Sequence, residues 1–376
     1  MKAEIISIGT ELLLGHIVNT DVAFLSRKIA EIGIDIYYQT TIGDNPQRII
    51  ESVRKALSRS DVIITTGGLG PTIDDVTIQT ISELIDKKDI KIIKNKVGSA
   101  PGLIAKCGNK IIICLPGPLR ELKPMFEYDI LSYLKKTFKG NWTIRSRTIN
   151  TTGLAEAKVD AKVKDLLKLK PPVTVGIYAK LGEVDLKIMS KAKDEKTAVN
   201  AIKKIEKKIA KRLNGHIFGY DDETLESAVG KVLTKKKLTI ATAESCTGGL
   251  LSDRLTNVSG SSKYFMTGII SYSNKSKESF LGISQKLMEK YGAVSRPVAV
   301  EMARAIKHFA CVDIGISITG IAGPTGGTKY KPVGLVYAAL VTDKKRIVME
   351  FRFRGSREDI KFQASQAALN LIRKNT

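Results

Sequence analysis

Five times this chain runs an apolar, strand-like stretch straight into a turn rich in glycine or proline. Lys2–Ile8 leads into Gly9-Thr10-Glu11, Asp61–Thr66 into Gly67-Gly68-Leu69-Gly70-Pro71-Thr72, and Ile111–Leu115 into Pro116-Gly117-Pro118. Leu238–Thr242 leads into Ala243-Glu244-Ser245-Cys246-Thr247-Gly248-Gly249, and Ile314–Thr319 into Gly320-Ile321-Ala322-Gly323-Pro324-Thr325-Gly326-Gly327. Stretches with helical periodicity lie between them, including Thr20–Ile32, Pro46–Ser58, Leu119–Leu134 and Leu250–Val258. Strand, turn and helix in recurring order predict mostly parallel sheets covered by helices on both faces. Such sheets bind ligands in the loops at the carboxyl ends of their strands, which is where these turns fall.

The order of elements divides the chain into three parts. Residues 1–142 predict an N-terminal three-layer α/β domain with a parallel sheet, and residues 220–376 a second α/β domain. In the latter, Val333–Val341 and Arg346–Arg354 are expected to pair antiparallel around Asp343. Between them, residues 143–219 predict a small α+β domain: strand-like Arg145–Thr151, Val173–Tyr178 and Val184–Ser190 with helical Leu154–Leu169 and Glu195–Leu213. This middle unit is KH-like in outline, but no Gly-x-x-Gly loop occurs within it, which argues against RNA binding of that kind.

Composition narrows the chemistry. No apolar run approaches the roughly 20 residues of a membrane helix. The N-terminus reads as a first strand rather than a signal peptide, so the expected compartment is the cytoplasm, with no membrane partner. Four cysteines without Cys-x-x-Cys spacing argue against a disulfide framework or a zinc site, and only three histidines occur, His16, His216 and His308. The net charge of +23 raises nucleic acid as a partner. The lysines are spread along the chain, however, and aromatic residues are only 6% and do not interleave with basic runs. A lysine-rich solvated surface is the preferred reading, anionic nucleotide substrates would explain some of the charge equally well, and nucleic acid is not expected as a partner.

Ser245 stands between a strand and a helix, where free backbone N–H groups can bind a phosphate or an oxyanion. A helix cap would explain the same serine. As a nucleophile it needs a base, and His308 lies within a helix pattern with no acid partner. A lysine whose pKa is depressed by burial is the alternative, and Ser271-Tyr272-Ser273-Asn274-Lys275-Ser276-Lys277 offers two, Lys275 and Lys277. Tyr272 either orients such a dyad or packs. Cys246 is a rival nucleophile without a visible low-pKa partner. In the N-terminal domain, Thr66, Gly67, Gly68, Gly70 and Thr72 allow a phosphate or pterin close to the backbone. Asp74 and Asp75 could hold a divalent cation or simply complement a helix dipole.

These motifs together resemble the CinA (competence/damage-inducible) family over nearly the whole chain. The resemblance rests on Gly9–Gly15, Thr66–Thr72 with Asp74-Asp75, Pro116-Gly117-Pro118, Thr242–Gly249, Tyr272-Ser273-Asn274, Gly292–Ser295 and Gly320–Pro324. It implies a C-terminal nicotinamide mononucleotide deamidase, a Ser/Lys amidohydrolase needing no cofactor, with Ser245 as nucleophile, Lys277 as base and Tyr272 in support. Thr247, Gly248, Gly249, Asn274, Gly320, Gly323 and Gly326 would bind substrate. It further implies a molybdopterin-binding-like N-terminal domain, associated in this family with metal-dependent ADP-ribose hydrolysis. There Glu11, Thr66, Gly67, Gly68, Gly70, Thr72 and Gly117 would hold nucleotide, and Asp74 and Asp75 a divalent metal. The partners expected are small nucleotides and further copies of the chain in a homo-oligomer. The alternative is a non-catalytic nucleotide- or pterin-binding protein, or a nucleic-acid-associated competence protein. One departure is visible: family members carry a longer, largely helical insert before Gly98-Ser99-Ala100-Pro101-Gly102, where this chain has only the strand-like link Asp89–Lys94.

Overall fold

A computed structural model describes residues 1–70, 77–83, 89–137 and 143–376. Among these residues fifteen strands form three sheets. The first contains β1 (Lys2–Ile8), β2 (Asp35–Ile42), β3 (Val62–Thr66), β4 (Ile90–Ile93), β5 (Gly102–Cys107) and β6 (Lys110–Leu115), in the order β2-β1-β3-β6-β5-β4. β2, β1, β3 and β6 run parallel, and every residue of β3 is buried, as a central strand covered on both faces requires. β4 and β5 are antiparallel additions at one edge. The expectation of a mostly parallel sheet missed β5, whose run Leu103-Ile104-Ala105 is too short to announce a strand by periodicity. The link at Asp89–Lys94 does contain a strand, β4.

The second sheet contains β7 (Thr143–Thr152), β8 (Val173–Lys180), β9 (Glu183–Ala192) and β10 (Ile217–Tyr220), ordered β10-β7-β9-β8. Helices Glu156–Leu167 and Glu195–Arg212 complete a two-layer α+β unit, with Val159, Val163, Ile202 and Ile209 in its core.

The third sheet contains β11 (Ile240–Glu244), β12 (Phe265–Ile270), β13 (Ile314–Gly320), β14 (Leu335–Val341) and β15 (Arg346–Arg352), ordered β12-β11-β13-β14-β15. β12, β11 and β13 are parallel, while β14 and β15 pair antiparallel as the turn at Asp343 predicts. Helix Arg296–Phe309 packs on one face through Val298, Ala299, Met302 and Ile306, and the C-terminal helix Arg357–Asn375 on the other through Ile360, Ala364, Ala368 and Ile372. The topology brings the loops after β11, β12 and β13 to the same sheet edge. Among the described residues no helix is long and apolar enough to cross a membrane.

Candidate active site

β11 is buried throughout and ends at Glu244, which places Ser245 at the carboxyl edge of the third sheet. Its backbone is held there by a hydrogen bond from the Ser245 N–H to the Ile318 carbonyl (3.0 Å). The next loop supplies the partner. Ser273 caps helix Asn274–Leu281 through a reciprocal pair of hydrogen bonds with Ser276. That helix was not foreseen, since the segment reads as a loop until the Ser273–Ser276 pair is taken as a capping box. It turns Lys277 inward and leaves Lys275 exposed.

Lys277 is 1% exposed and Ser245 7%. The Lys277 Nζ lies 3.0 Å from Ser245 Oγ and donates to the carbonyls of Ser271 (2.8 Å) and Tyr272 (3.2 Å). Burial pushes the Lys277 pKa below its ordinary value, because a desolvated ammonium is disfavoured. The neighbouring Cys246 is also buried, and burial pushes its thiol up to about 12. It is therefore a protonated packing group, not a thiolate.

Ser245 and Lys277 open onto a cavity of about 310 Å³ lined also by Tyr272, Asn274, Gly320, Gly323, Gly326 and Arg357. Four of the expected binding residues thus sit at the site. Thr247, Gly248 and Gly249 do not line it, and the expected anion-binding helix N-terminus is already filled. Glu244, wholly buried, accepts hydrogen bonds from the N–H groups of Gly249 (3.1 Å), Leu251 (3.1 Å) and Ser252 (2.8 Å) and from Ser252 Oγ (2.6 Å). An internal carboxylate satisfies the donors and the dipole that a substrate phosphate would have used. The Gly248 amide donates to the Ser245 carbonyl, and Gly249, at φ 96°, makes the turn a side chain would strain. The N–H groups of Cys246 and Thr247 have no protein acceptor among the described residues. Replacing Glu244 by Gln, which sets an NH₂ against those donors, is expected to cost about 2 kcal/mol or more and to lower kcat through Ser245, measured as Tm and turnover together.

Arg357 was missed as a site residue. It begins the C-terminal helix, donates to the Gly323 carbonyl (2.6 Å) and the Tyr272 hydroxyl (2.7 Å), and reaches the cavity. A cation in the first turn of a helix opposes the macrodipole, and that misplacement was the available signal.

The N-terminal loops line a separate cavity of about 600 Å³, to which Glu11, Thr66, Gly67, Gly68, Gly70 and Gly117 all contribute. Gly67, at φ 95°, leaves room for no side chain, since a Cβ there would lie 2.1 Å from the Ile8 carbonyl oxygen. Thr72, Asp74 and Asp75 lie outside the described residues. Asp21 and Asp44 also line the cavity and were not anticipated; burial raises the Asp21 carboxyl to about 6. Among the described residues, no three of His, Cys, Asp or Glu converge as a metal site would require.

Residues 4–136 match the family described as "Probable molybdopterin binding domain", residues 146–219 "Damage-inducible protein CinA KH domain", and residues 222–376 "CinA C-terminal domain". The chain is 45% identical to the competence-damage inducible protein of Thermoanaerobacter pseudethanolicus, over 408 aligned residues covering 100% of this chain and 98% of that one. The chain belongs to the CinA family. It is likewise 43% identical to the CinA-like protein of Kosmotoga olearia, over 100% of this chain and 98% of that one. The crystal structure of competence/damage inducible protein CihA from Agrobacterium tumefaciens is 35% identical over 40% of this chain and 94% of that one, with a TM-score of 0.40. In this CinA-family chain, Ser245, Lys277 and Arg357 all lie within the C-terminal domain match.

Proposed function

We propose that the C-terminal domain hydrolyses the carboxamide of nicotinamide mononucleotide to nicotinate mononucleotide and ammonia. The observation that carries this reading is the set of three contacts around the Lys277 nitrogen. A neutral amine has two N–H bonds and one lone pair. The carbonyls of Ser271 and Tyr272 take the two N–H bonds, so the lone pair faces Ser245 Oγ. Burial favours that neutral form.

The steps then follow. Lys277 accepts the Ser245 proton as Oγ bonds to the amide carbon. The oxyanion forms beside the free N–H group of Cys246, which follows Ser245 and also lines the cavity. The Lys277 ammonium returns its proton to the departing nitrogen, leaving ammonia and an acyl-serine. Water attacks that ester with Lys277 again as base, restoring Ser245 and releasing the carboxylate. Arg357 supplies the cationic anchor for the substrate phosphate, and Tyr272 contributes the carbonyl that orients Lys277 and a wall of the cavity.

Arg357→Ala is expected to raise KM for nicotinamide mononucleotide at least ~10-fold, with a smaller change in kcat, because a charge-assisted contact to substrate is lost. Steady-state ammonia release measures both.

A second reading is favoured by the N-terminal cavity, which the three glycine-bearing loops line together with Glu11, Asp21, Asp44 and Glu121. The glycine loops suit close approach of a phosphate such as those of ADP-ribose; the carboxylates would face that anion only across a divalent cation, and since the described residues do not by themselves form a metal site, no step is routed through one. AMP production from ADP-ribose, assayed with added divalent metals, is expected to survive Ser245→Ala and to be lost in Asp75→Ala. Loss in the first variant would place the activity in the other domain.

A further inference from the structure

Helix Arg296–Phe309 joins two ends of the third sheet. Its first residues follow Ala293 and Val294, which line the Ser245 cavity, and its last turn reaches the opposite edge, where β11 and β13 begin and β14 turns into β15. Fourteen residues at 1.5 Å each separate the two ends by about 20 Å. At that far edge lies a second cavity of about 450 Å³. Arg304, Lys307 and His308 from the helix and Lys344, Lys345 and Arg346 from the hairpin turn surround it.

The charges there are unevenly matched. Lys307 pairs with Asp343 (2.8 Å) and Arg304 with Glu301 (2.7 Å). Lys344, Lys345 and Arg346 have no carboxylate partner among the described residues, and neither has His308. The turn that carries the three cations is held in place: Thr342 Oγ1 accepts from the amides of Lys344 (3.3 Å) and Lys345 (3.0 Å), and the Thr342 N–H donates to the Lys345 carbonyl (2.9 Å). Three unpaired cations on adjacent residues repel one another, and a multivalent anion seated between turn and helix relieves that repulsion.

We propose that this cavity is a second anion site, distinct from the catalytic one, whose ligand is an oligophosphate. A chain of two or three phosphates carries a charge that matches the three unpaired cations, whereas a single phosphate, at about −1.5 to −2, falls short of them. Either a nucleoside triphosphate tail or an inorganic oligophosphate presents this chemistry.

The test is isothermal titration calorimetry of the full chain at 0.15 M KCl with inorganic triphosphate, ATP and orthophosphate. The Arg357→Ala background removes the anion anchor of the catalytic cavity. The expected result is saturable one-to-one binding of triphosphate in that background, at least ~10-fold tighter than orthophosphate. Binding should weaken at least ~10-fold in Lys344→Gln/Lys345→Gln/Arg346→Gln, a solvent-exposed set whose Tm should stay within a few degrees of the parent. Equal affinity for ATP and triphosphate assigns recognition to the phosphates, and tighter ATP binding assigns the nucleotide as the source; both support the site. Unchanged affinity in the triple variant, loss of binding in Arg357→Ala alone, or uptake that never saturates would each overturn it. So would a single-stranded oligonucleotide that displaces triphosphate at lower concentration with a steep salt dependence, since the face would then read a nucleic-acid backbone.

Discussion

Ser245→Ala is expected to lower kcat for deamidation of nicotinamide mononucleotide by at least ~10³-fold, with KM nearly unchanged. The substitution removes one oxygen from the reacting position and leaves the cavity wall of Tyr272, Gly320, Gly323 and Arg357 intact. Ground-state binding therefore persists while the covalent route disappears. The Ser245 backbone is held by the Ile318 carbonyl rather than by its hydroxyl, so stability should change by less than about 1 kcal/mol. Ammonia release and a thermal melt, run on the same preparation, separate lost chemistry from lost folding.

Lys277→Met should have an effect of the same order on kcat, and its consequences for stability run the other way. In the folded protein the Lys277 pKa lies below its ordinary value of 10.5. Between the folded and unfolded pKa values the unfolded chain binds more protons, so stability rises with pH across that window. Below the folded pKa the full cost of burying an ammonium is present. Methionine of similar shape removes it, so the variant should melt at the same or a higher temperature than the parent, most visibly at acid pH. Activity of the parent depends on the neutral amine and should climb as pH passes the lowered Lys277 value, then level off. Lys275→Ala, altering an exposed residue, should keep that profile and near-normal turnover. A Lys275 variant that is inactive beside an active Lys277 variant would move the base.

Both predictions depend on a dyad that was only partly legible in the chain. Ser245 could be located because a strand followed by paired glycines defines a sharp turn. Lys277 could not be separated from Lys275 by spacing, since both follow the same strand by a few residues. The distinction became physical only once the Ser273–Ser276 capping box started a helix there and sent one lysine inward. Most of the strands and the antiparallel β14–β15 pair followed from periodicity and turn chemistry, which are local signals; the short β5 and β10 did not. The role of Glu244 did not follow. A carboxylate at the end of a buried strand can point to solvent, to a ligand or back onto its own chain, and only the folded geometry shows that it takes the amides of Gly249, Leu251 and Ser252. Arg357 stands more than a hundred residues from Ser245, and nothing local joins them; the C-terminal helix packing on the third sheet does so.

The central claim is that Ser245 and Lys277 open a carboxamide, and the most direct measurement follows both products from nicotinamide mononucleotide with the purified full chain. The account predicts ammonia and nicotinate mononucleotide in one-to-one yield, without free nicotinamide, and without either product in Ser245→Ala. Absence of ammonia from the parent, nicotinamide in place of nicotinate mononucleotide, or full turnover by the alanine variant would contradict it.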